Sequence, residues 1–239
     1  MKFKRNFGNN IKKIKKTTDK EYEKIFKKLI TNDGDSESED DISLLSQSLT
    51  TKKVFYRDNH IYFHDDVTSE SVNKLISIIN EINKKEEEME FKLRKYNITI
   101  PEYYLHICSN GGDTDYGFIA YDVIKNSKVI INTIAEGSTI SAGSLIYVAG
   151  HKKYMRRHSF ILIHQLNQLM MGRKTYHDMK DNIDSCTKYM ETIKKLYLDN
   201  CSNRRLTSKR LDEILEHDLF WNYEDCRKYG LVDEIYEGI

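Results

Sequence analysis

Residues 104–134 constrain the fold of this chain more than any other part of its sequence. Tyr104–Cys108 is a short apolar run typical of a buried strand, and a glycine pair at 111–112 follows it. From Asp115 onward apolar residues recur with helical spacing, and 129–134 is a β-branched run. A strand, a turn, a helix and a second strand form a βαβ unit, which requires parallel strands and a right-handed crossover. The sequence therefore predicts an α/β protein with a parallel sheet.

The segments on either side extend this pattern. Two short β-rich runs, 54–56 and 61–63, precede a helix that Thr68 or Ser69 can cap. The charged run 84–97 is expected to be an exposed helical extension or insertion. After a basic linker at 152–157, further strands are expected at 160–163 and 231–235, and helices near 175–200, 207–217 and 222–230. The prediction is a set of repeated βαβ units whose sheet is packed by helices.

Residues 1–52 differ in composition from the rest of the chain. Residues 1–28 hold eleven Lys/Arg against three acids, and residues 33–41 hold six acids and no base. We therefore predict a charged, mostly disordered extension over 1–52, with at most a short helix near 20–30, and one ordered domain over 53–239. A solvated tail is the simplest interpretation of the basic run. Contact with nucleic acid, an acidic partner or the axial face of an assembly is the alternative.

The composition excludes several kinds of site. A formal net charge of +1 over 239 residues gives no global reason to expect a nucleic-acid partner. The four cysteines form no CxxC pair, so reduced thiols in an intracellular compartment are expected rather than a zinc ribbon or a disulfide framework. His60 and His64 would lie roughly 13 Å apart in an extended segment, too far to share a metal. We interpret them as polar residues that flank a strand.

Neither a secretory signal nor a membrane span is predicted. The N-terminus is basic, with no apolar stretch behind it. The longest weakly apolar run, 129–150, contains Asn132 and Glu136, which would be costly in hydrocarbon. We therefore expect a cytoplasmic protein without a membrane partner.

The stretch Glu136–Ala149 reads EGSTISAGSLIYVA and has Ser141 near its middle. Small neighbours, with glycines at Gly137 and Gly143, suit a strand-to-helix turn that presents a hydroxyl in a tight cleft. The stretch lacks the complete G-x-S-x-G pattern, because Thr139 stands at the first glycine position. A helix cap or a close-packing site is the alternative interpretation of this serine.

Two further residues stand where elements are predicted to end. His164 follows the strand 160–163, and Asp218 follows the helix 207–217. Serine catalysis needs a base, a carboxylate that orients the base, and donors for the oxyanion, and a glycine turn at 111–112 can supply such a donor. A hydrogen-bonded core histidine and a helix-end carboxylate are the alternatives.

Five ordered motifs together resemble the proteolytic subunit of the Clp protease family. They are SNGG at 109–112, EGSTISAGSLIYVAG at 136–150, LIHQ at 162–165, EHDLF at 216–220 and YGLVDEI at 229–235. The resemblance is collinear from about residue 53 to the end of the chain. It implies the ClpP/crotonase-like fold and the activity of a self-compartmentalised serine-type endopeptidase.

The resemblance also implies roles for five residues. Ser141 corresponds to the family's nucleophile, His164 to its general base and Asp218 to its orienting acid. Gly112 and Ala142 correspond to the positions whose backbone N–H groups form the oxyanion hole.

Several positions depart from the family pattern. Asn110 and Leu166 stand where proline is usual, and Glu136 stands where an apolar residue or glycine is usual. The run 84–97 and the first fifty residues look like additions. None of these departures removes a member of the implied triad.

The resemblance implies partners as well as chemistry. Members of the family stack two heptameric rings into a chamber, with a long protruding helix, here 175–200, interlocking between the rings. A hexameric AAA+ unfoldase uses ATP to deliver unfolded polypeptides. No P-loop pattern occurs in this chain, so we expect ATP to belong to the partner, with no cofactor or metal bound here.

Three alternatives to a working protease stay open at this point. A binding-only protein that acts through its basic N-terminus would explain the charged extension but leave the five motifs unexplained. The chain can be a catalytically idle subunit of a Clp-like assembly, because three residues in sequence do not make a triad in space. A crotonase-like enzyme acting on acyl-CoA would share the βαβ architecture and the glycine-turn donors, although it has no need of this serine, base and acid.

Overall fold

The structure is a computed structural model that describes residues 53–94, 100–167, 171–203 and 205–238. The predicted extension over 1–52, with its short helix near 20–30, lies outside these residues. The strands described are β1 (Val54–Arg57), β2 (His60–Phe63), β3 (Tyr103–Ser109), β4 (Ile131–Ile140), β5 (Lys153–Met155), β6 (Phe160–Leu162), β7 (Phe220–Trp221) and β8 (Glu234–Ile235).

These strands form one sheet that is mainly parallel, as predicted. Its order is β1-β2-β3-β4-β5-β8, with β6 paired to β4 and β7 paired to β6. The pairs from β2 through β8 along this order are parallel, and so is the pair of β4 with β6. The first hairpin, β1 with β2, and the pair of β6 with β7 are antiparallel.

Six helices are described: α1 (Ser69–Arg94), α2 (Thr114–Lys125), α3 (Ala142–Val148), α4 (Tyr176–Asp199), α5 (Ser208–Leu215) and α6 (Tyr223–Tyr229). Local side-chain chemistry explains where several of them begin. The backbone N–H of Ser71 donates to Thr68 Oγ1, and Thr207 caps α5 in the same way. Asn222 and Asp225 form a capping box at α6, which ends at Gly230 with a left-handed φ of 78°.

The core lies between the helices and one face of the sheet. Four of the five apolar residues with helical spacing on α1, Val72, Leu75, Ile79 and Ile82, are fully buried, and Ile76 is partly buried. Every residue of α3 is buried. A short helix without a polar face cannot shift or roll without exposing apolar surface, so its first turn is held firmly in place.

The long helix α4 is buried only toward its C-terminal end. Ile193 and Tyr197 are buried there, whereas Tyr176, Met179 and Ile183 near its start are exposed. Apolar spacing predicts one face along the whole helix, but only its last turns reach the core of this chain.

Two segments differ from the sequence-based prediction. Strand β4 continues to Ile140, although the β-branched run ends at Ile134, because pairing with β6 supports its second half. The expected basic linker contains β5, in which Lys153 is buried and its ammonium lies 3.2 Å from the Asp233 carboxylate. Pairing with an acid allows this lysine to occupy a strand.

The charged run after residue 84 continues α1, as expected of a helical extension, but it is not uniformly exposed. Glu86 is only 3% exposed, and its Oε1 accepts a 2.6 Å hydrogen bond from the Tyr103 hydroxyl. Within the described residues, no helix is both long and apolar enough to cross a bilayer.

Candidate active site

Ser141 lies at the junction between β4 and α3. Its backbone has φ 53° and ψ −124°, and residues other than glycine rarely adopt a positive φ. Such a conformation costs about 1–3 kcal/mol and persists only where the surroundings impose it. A strained strand-to-helix turn is also how α/β-hydrolases expose a nucleophilic serine. The turn therefore has the shape expected for a nucleophile, without the G-x-S-x-G sequence.

Neighbouring glycines leave room for this turn. Gly111 has φ 92°, and a Cβ on it would lie 2.7 Å from Ser141 Cβ and 2.8 Å from the Ile140 carbonyl oxygen. A Cβ on Gly143 would lie 3.0 Å from Ser109 Cβ. Gly143 therefore allows close packing, whereas Gly111 is required both by its own φ and by the contact with Ser141.

A cavity of about 180 Å³ opens beside the turn. Its lining residues are Gly112, Thr114, Ser141, Ala142, Leu145, His164, Gln165, Leu166, Asn167, Ile193 and Tyr197. Four of the five residues singled out in the sequence thus share one cavity, and Asp218 is not among its lining residues.

His164 and Asp218 approach each other without forming a hydrogen bond. The His164 Nδ1 to Asp218 Oδ1 distance is 3.8 Å. The Asp218 side chain is 75% exposed and that of His164 only 14% exposed. The buried Nδ1 of His164 has no hydrogen-bond partner among the described residues. Asp218 thus lies next to His164 without a hydrogen bond to it.

Two backbone N–H groups beside Ser141 are candidates for oxyanion donors. Val67 pairs with the glycine turn by donating to the Gly111 carbonyl at 2.7 Å and accepting from the Asp113 N–H at 2.8 Å. The N–H of Gly112 takes no part in this pairing. Ala142 is the first residue of α3, where backbone N–H groups lack a partner within the helix.

The two nearby serines have other surroundings. Ser138 lies within β4, opposite Phe160 of β6, and does not line the cavity. Ser144 is fully buried in α3, where its hydroxyl is bonded to the Ser141 carbonyl and to the Tyr197 hydroxyl. Neither hydroxyl is as well placed as that of Ser141 to reach a substrate.

A sequence model of the Clp protease family matches residues 45–238 of this chain. The chain belongs to the Clp protease family. Among curated relatives it is similar to the ATP-dependent Clp protease proteolytic subunit of Oltmannsiellopsis viridis, with 24% identity over 182 residues. That match covers 75% of this chain and 85% of the relative.

Membership explains the architecture as well as the motifs. The α/β organisation of the described residues is consistent with the fold of the family, and its members are proteases. None of these findings supports a crotonase-like activity on acyl-CoA.

A polar network on the opposite face of the sheet was missed in the sequence. His60 Nδ1 lies 2.8 Å from His106 Nε2, and His106 Nδ1 lies 2.8 Å from Glu136 Oε1. Glu136 also accepts a 2.9 Å hydrogen bond from Arg156 Nε, and its other oxygen lies 3.4 Å from His64 Nε2. The interpretation of His60 as a residue flanking a strand was therefore wrong, because it begins β2 and its ring belongs to this network.

The network explains why Glu136 is tolerated where the family usually has an apolar residue or glycine. Burial alone would raise the pKa of Glu136, but hydrogen bonds from His106, His64 and Arg156 hold that pKa well below its usual range. Alternation along β4 puts Asn132 and Glu136 on one face of the sheet. An acid on that face is the sequence signal that indicates histidine or arginine partners on neighbouring segments. In the described part of the chain, no three or more His, Cys, Asp or Glu side chains are arranged to hold a metal ion.

Proposed function

We propose that this chain is a serine endopeptidase that hydrolyses peptide bonds through an acyl-enzyme, with Ser141 as its nucleophile. The observation that carries the proposal is the shared cavity, which is lined by the strained Ser141 turn, by His164, and by Gly112 and Ala142. Membership of a protease family supports the same reaction.

In the proposed reaction, Ser141 Oγ attacks the carbonyl carbon while His164 takes the hydroxyl proton. The N–H groups of Gly112 and Ala142 donate to the oxyanion. His164 then protonates the leaving amine as the C–N bond breaks, and a water that it deprotonates hydrolyses the ester. Asp218 orients the imidazole and stabilises its charged form.

The proposed assembly is the family's pair of stacked heptameric rings, to which an ATP-driven AAA+ unfoldase supplies unfolded polypeptides. The exposed apolar residues Met179 and Ile183 near the start of α4 support a contact between rings. We propose no cofactor or metal for this chain itself, and a cytoplasmic location.

A second candidate is an idle subunit, and one observation favours it. The 3.8 Å separation of His164 from Asp218 exceeds the roughly 2.6–3.2 Å of a working base and its orienting acid. In this candidate the chain contributes a wall of the chamber, and a related subunit performs the chemistry.

One labelling experiment separates the two candidates. The full-length chain is treated with a fluorophosphonate probe, alone and with a candidate unfoldase, and the modified residue is mapped by mass spectrometry. We expect labelling at Ser141 that Ser141→Ala abolishes, together with hydrolysis of a fluorogenic peptide. Ser138→Ala is the matched control and should leave both unchanged. Labelling that persists in Ser141→Ala would refute the nucleophile, and no labelling under either condition would favour the idle subunit.

A further inference from the structure

A chain of short hydrogen bonds joins the end of α4 to the backbone of Ser141. The Tyr197 hydroxyl lies 2.6 Å from Ser144 Oγ, which in turn lies 2.6 Å from the carbonyl oxygen of Ser141. Ser144 is 0% exposed and Tyr197 is 2% exposed. Both bonds are therefore shielded from water, where each is worth more than on the surface.

The direction of these hydrogen bonds follows from the groups involved. A carbonyl only accepts, so the single hydroxyl hydrogen of Ser144 is given to Ser141. The Tyr197 phenol must then donate to Ser144 Oγ. Burial raises the pKa of Tyr197 above its ordinary value, which keeps the phenol protonated as this donor.

The same carbonyl also accepts a 2.8 Å hydrogen bond from the backbone N–H of Ser144. Ser144 thus contacts the Ser141 carbonyl through both its backbone and its side chain. A non-glycine residue at φ 53° tends to relax, and relaxation would rotate the peptide that links Ser141 to Ala142. That rotation would move the serine hydroxyl and the Ala142 N–H together.

We infer that Ser144 and Tyr197 are positioning residues that hold the Ser141 turn in its strained conformation. The inference rests on the proposed function, because it assigns them a role in the reactivity of Ser141. The Tyr197 ring also lines the cavity, but its hydroxyl points to Ser144. Removing that hydroxyl should therefore affect the turnover rate more than substrate affinity.

Tyr197→Phe tests the inference because it removes only the phenol oxygen. Tyr147→Phe is its matched control, since the Tyr147 hydroxyl is also fully buried and has no hydrogen-bond partner among the described residues. Amide hydrogen exchange is measured in the full-length chain on peptides covering 138–148. We expect exchange there to accelerate about tenfold in Tyr197→Phe, with exchange in β3 unchanged and Tyr147→Phe like the wild type.

Kinetics on the fluorogenic peptide give the second readout. We expect kcat to fall about tenfold in Tyr197→Phe, with KM changed less than about twofold, because a small displacement of reacting groups costs rate. The double variant Tyr197→Phe/Ser144→Ala should lose no more kcat than Ser144→Ala alone, since both substitutions break one chain of bonds.

Unchanged exchange over 138–148 in Tyr197→Phe would overturn the inference whether or not the chain is active. Faster exchange with unchanged kcat would show that the hydrogen bonds stabilise the turn but do not position Ser141 for reaction, and it would overturn the inference. Effects on kcat that multiply in the double variant would also overturn it. Failure of the proposed function is seen separately, as activity or labelling that survives Ser141→Ala.

Discussion

His164 Nδ1 and Asp218 Oδ1 lie 3.8 Å apart, with the imidazole nitrogen buried and the carboxylate largely exposed. A buried nitrogen without a partner is unfavourable, and a nearby acid that moves by less than 1 Å would satisfy it. The pair is therefore one small movement from the geometry of a base with its orienting acid.

Asp218→Asn should lower kcat by about 100-fold or more, because the amide cannot stabilise the charged imidazole and can hold it in the wrong tautomer. Stability should change by less than about 0.5 kcal/mol, since the side chain is exposed. Peptide hydrolysis and urea unfolding measure the two effects. Glu216→Gln, an exposed acid of the same segment, is the control and should change neither. Equal activity of both variants would contradict the role of Asp218.

Gly111→Ala should destabilise the protein by about 2–5 kcal/mol and abolish labelling of Ser141. The new Cβ would meet Ser141 Cβ at 2.7 Å, and φ 92° is itself unfavourable for alanine. Urea unfolding measures the free energy of unfolding.

Gly172→Ala is the control for Gly111→Ala because Gly172 has φ 77° but no atom of the described residues within 4 Å of its would-be Cβ. It isolates the cost of the backbone conformation, about 1 kcal/mol. Equal losses of unfolding free energy in the two variants would mean that contact with the Ser141 turn adds nothing to the cost of Gly111→Ala.

Stability should fall as pH is lowered from 7 to 3, in two stages. Burial and the neighbouring His106 lower the pKa of His60, so its neutral form is favoured in the folded state and stability is lost below the unfolded value of about 6.5. The lowered pKa of Glu136 gives stability that is present above the unfolded value of about 4.3 and is lost as pH falls further.

Glu136→Gln should flatten the stage below pH 5 and cost about 1–3 kcal/mol at pH 7, because Arg156 and His106 lose a charged acceptor. Thermal unfolding across the pH range measures both effects. Glu234→Gln, whose side chain is 62% exposed, is the control and should leave the profile unchanged. A wild-type profile that is flat between pH 5 and 3 would contradict the network.

Alkylation of Cys201 and Cys226 should be slow at neutral pH. Burial raises the pKa of Cys201 to about 11, and burial also raises that of Cys226. Alkylation of Cys201 by iodoacetamide should therefore accelerate about tenfold per pH unit between 8 and 10, as measured by peptide mass spectrometry. Rapid modification of Cys201 or Cys226 at pH 7, with loss of peptidase activity, would point away from a serine nucleophile.

The fold could be predicted wherever short-range patterns decide it. The βαβ unit over 104–134 and the caps at Thr68, Thr207 and Asn222 follow from spacing and side-chain chemistry. The second half of β4 could not be predicted, because Glu136 and Gly137 are residue types depleted in strands and because residues 138–140 pair with β6, which is distant in sequence.

The residue types of the candidate site were predictable from the sequence, but the hydrogen bonds and distances around them were not. Sequence order and resemblance single out Ser141, His164, Gly112 and Ala142, which share one cavity. Nothing in the sequence indicates that Ser144 bonds to Tyr197, because 53 positions separate them and Tyr197 fits equally well as an apolar residue of α4. The distance between His164 and Asp218 depends on tertiary packing, so it could not be predicted from the sequence either.

The pairing of β4 with β6 has a consequence for how this protein can change over evolution. Ile140 is in register with Leu162, and the Ser141 N–H donates to the Leu162 carbonyl at 2.9 Å, two residues before His164. Backbone pairing thus sets the position of the Ser141 backbone relative to the strand that leads to His164. Exposed side chains such as that of Phe160 can change without altering this pairing, whereas one inserted residue between Leu162 and His164 would displace His164 by about 3.3 Å. Length in this segment, more than residue identity, is what natural variants must preserve.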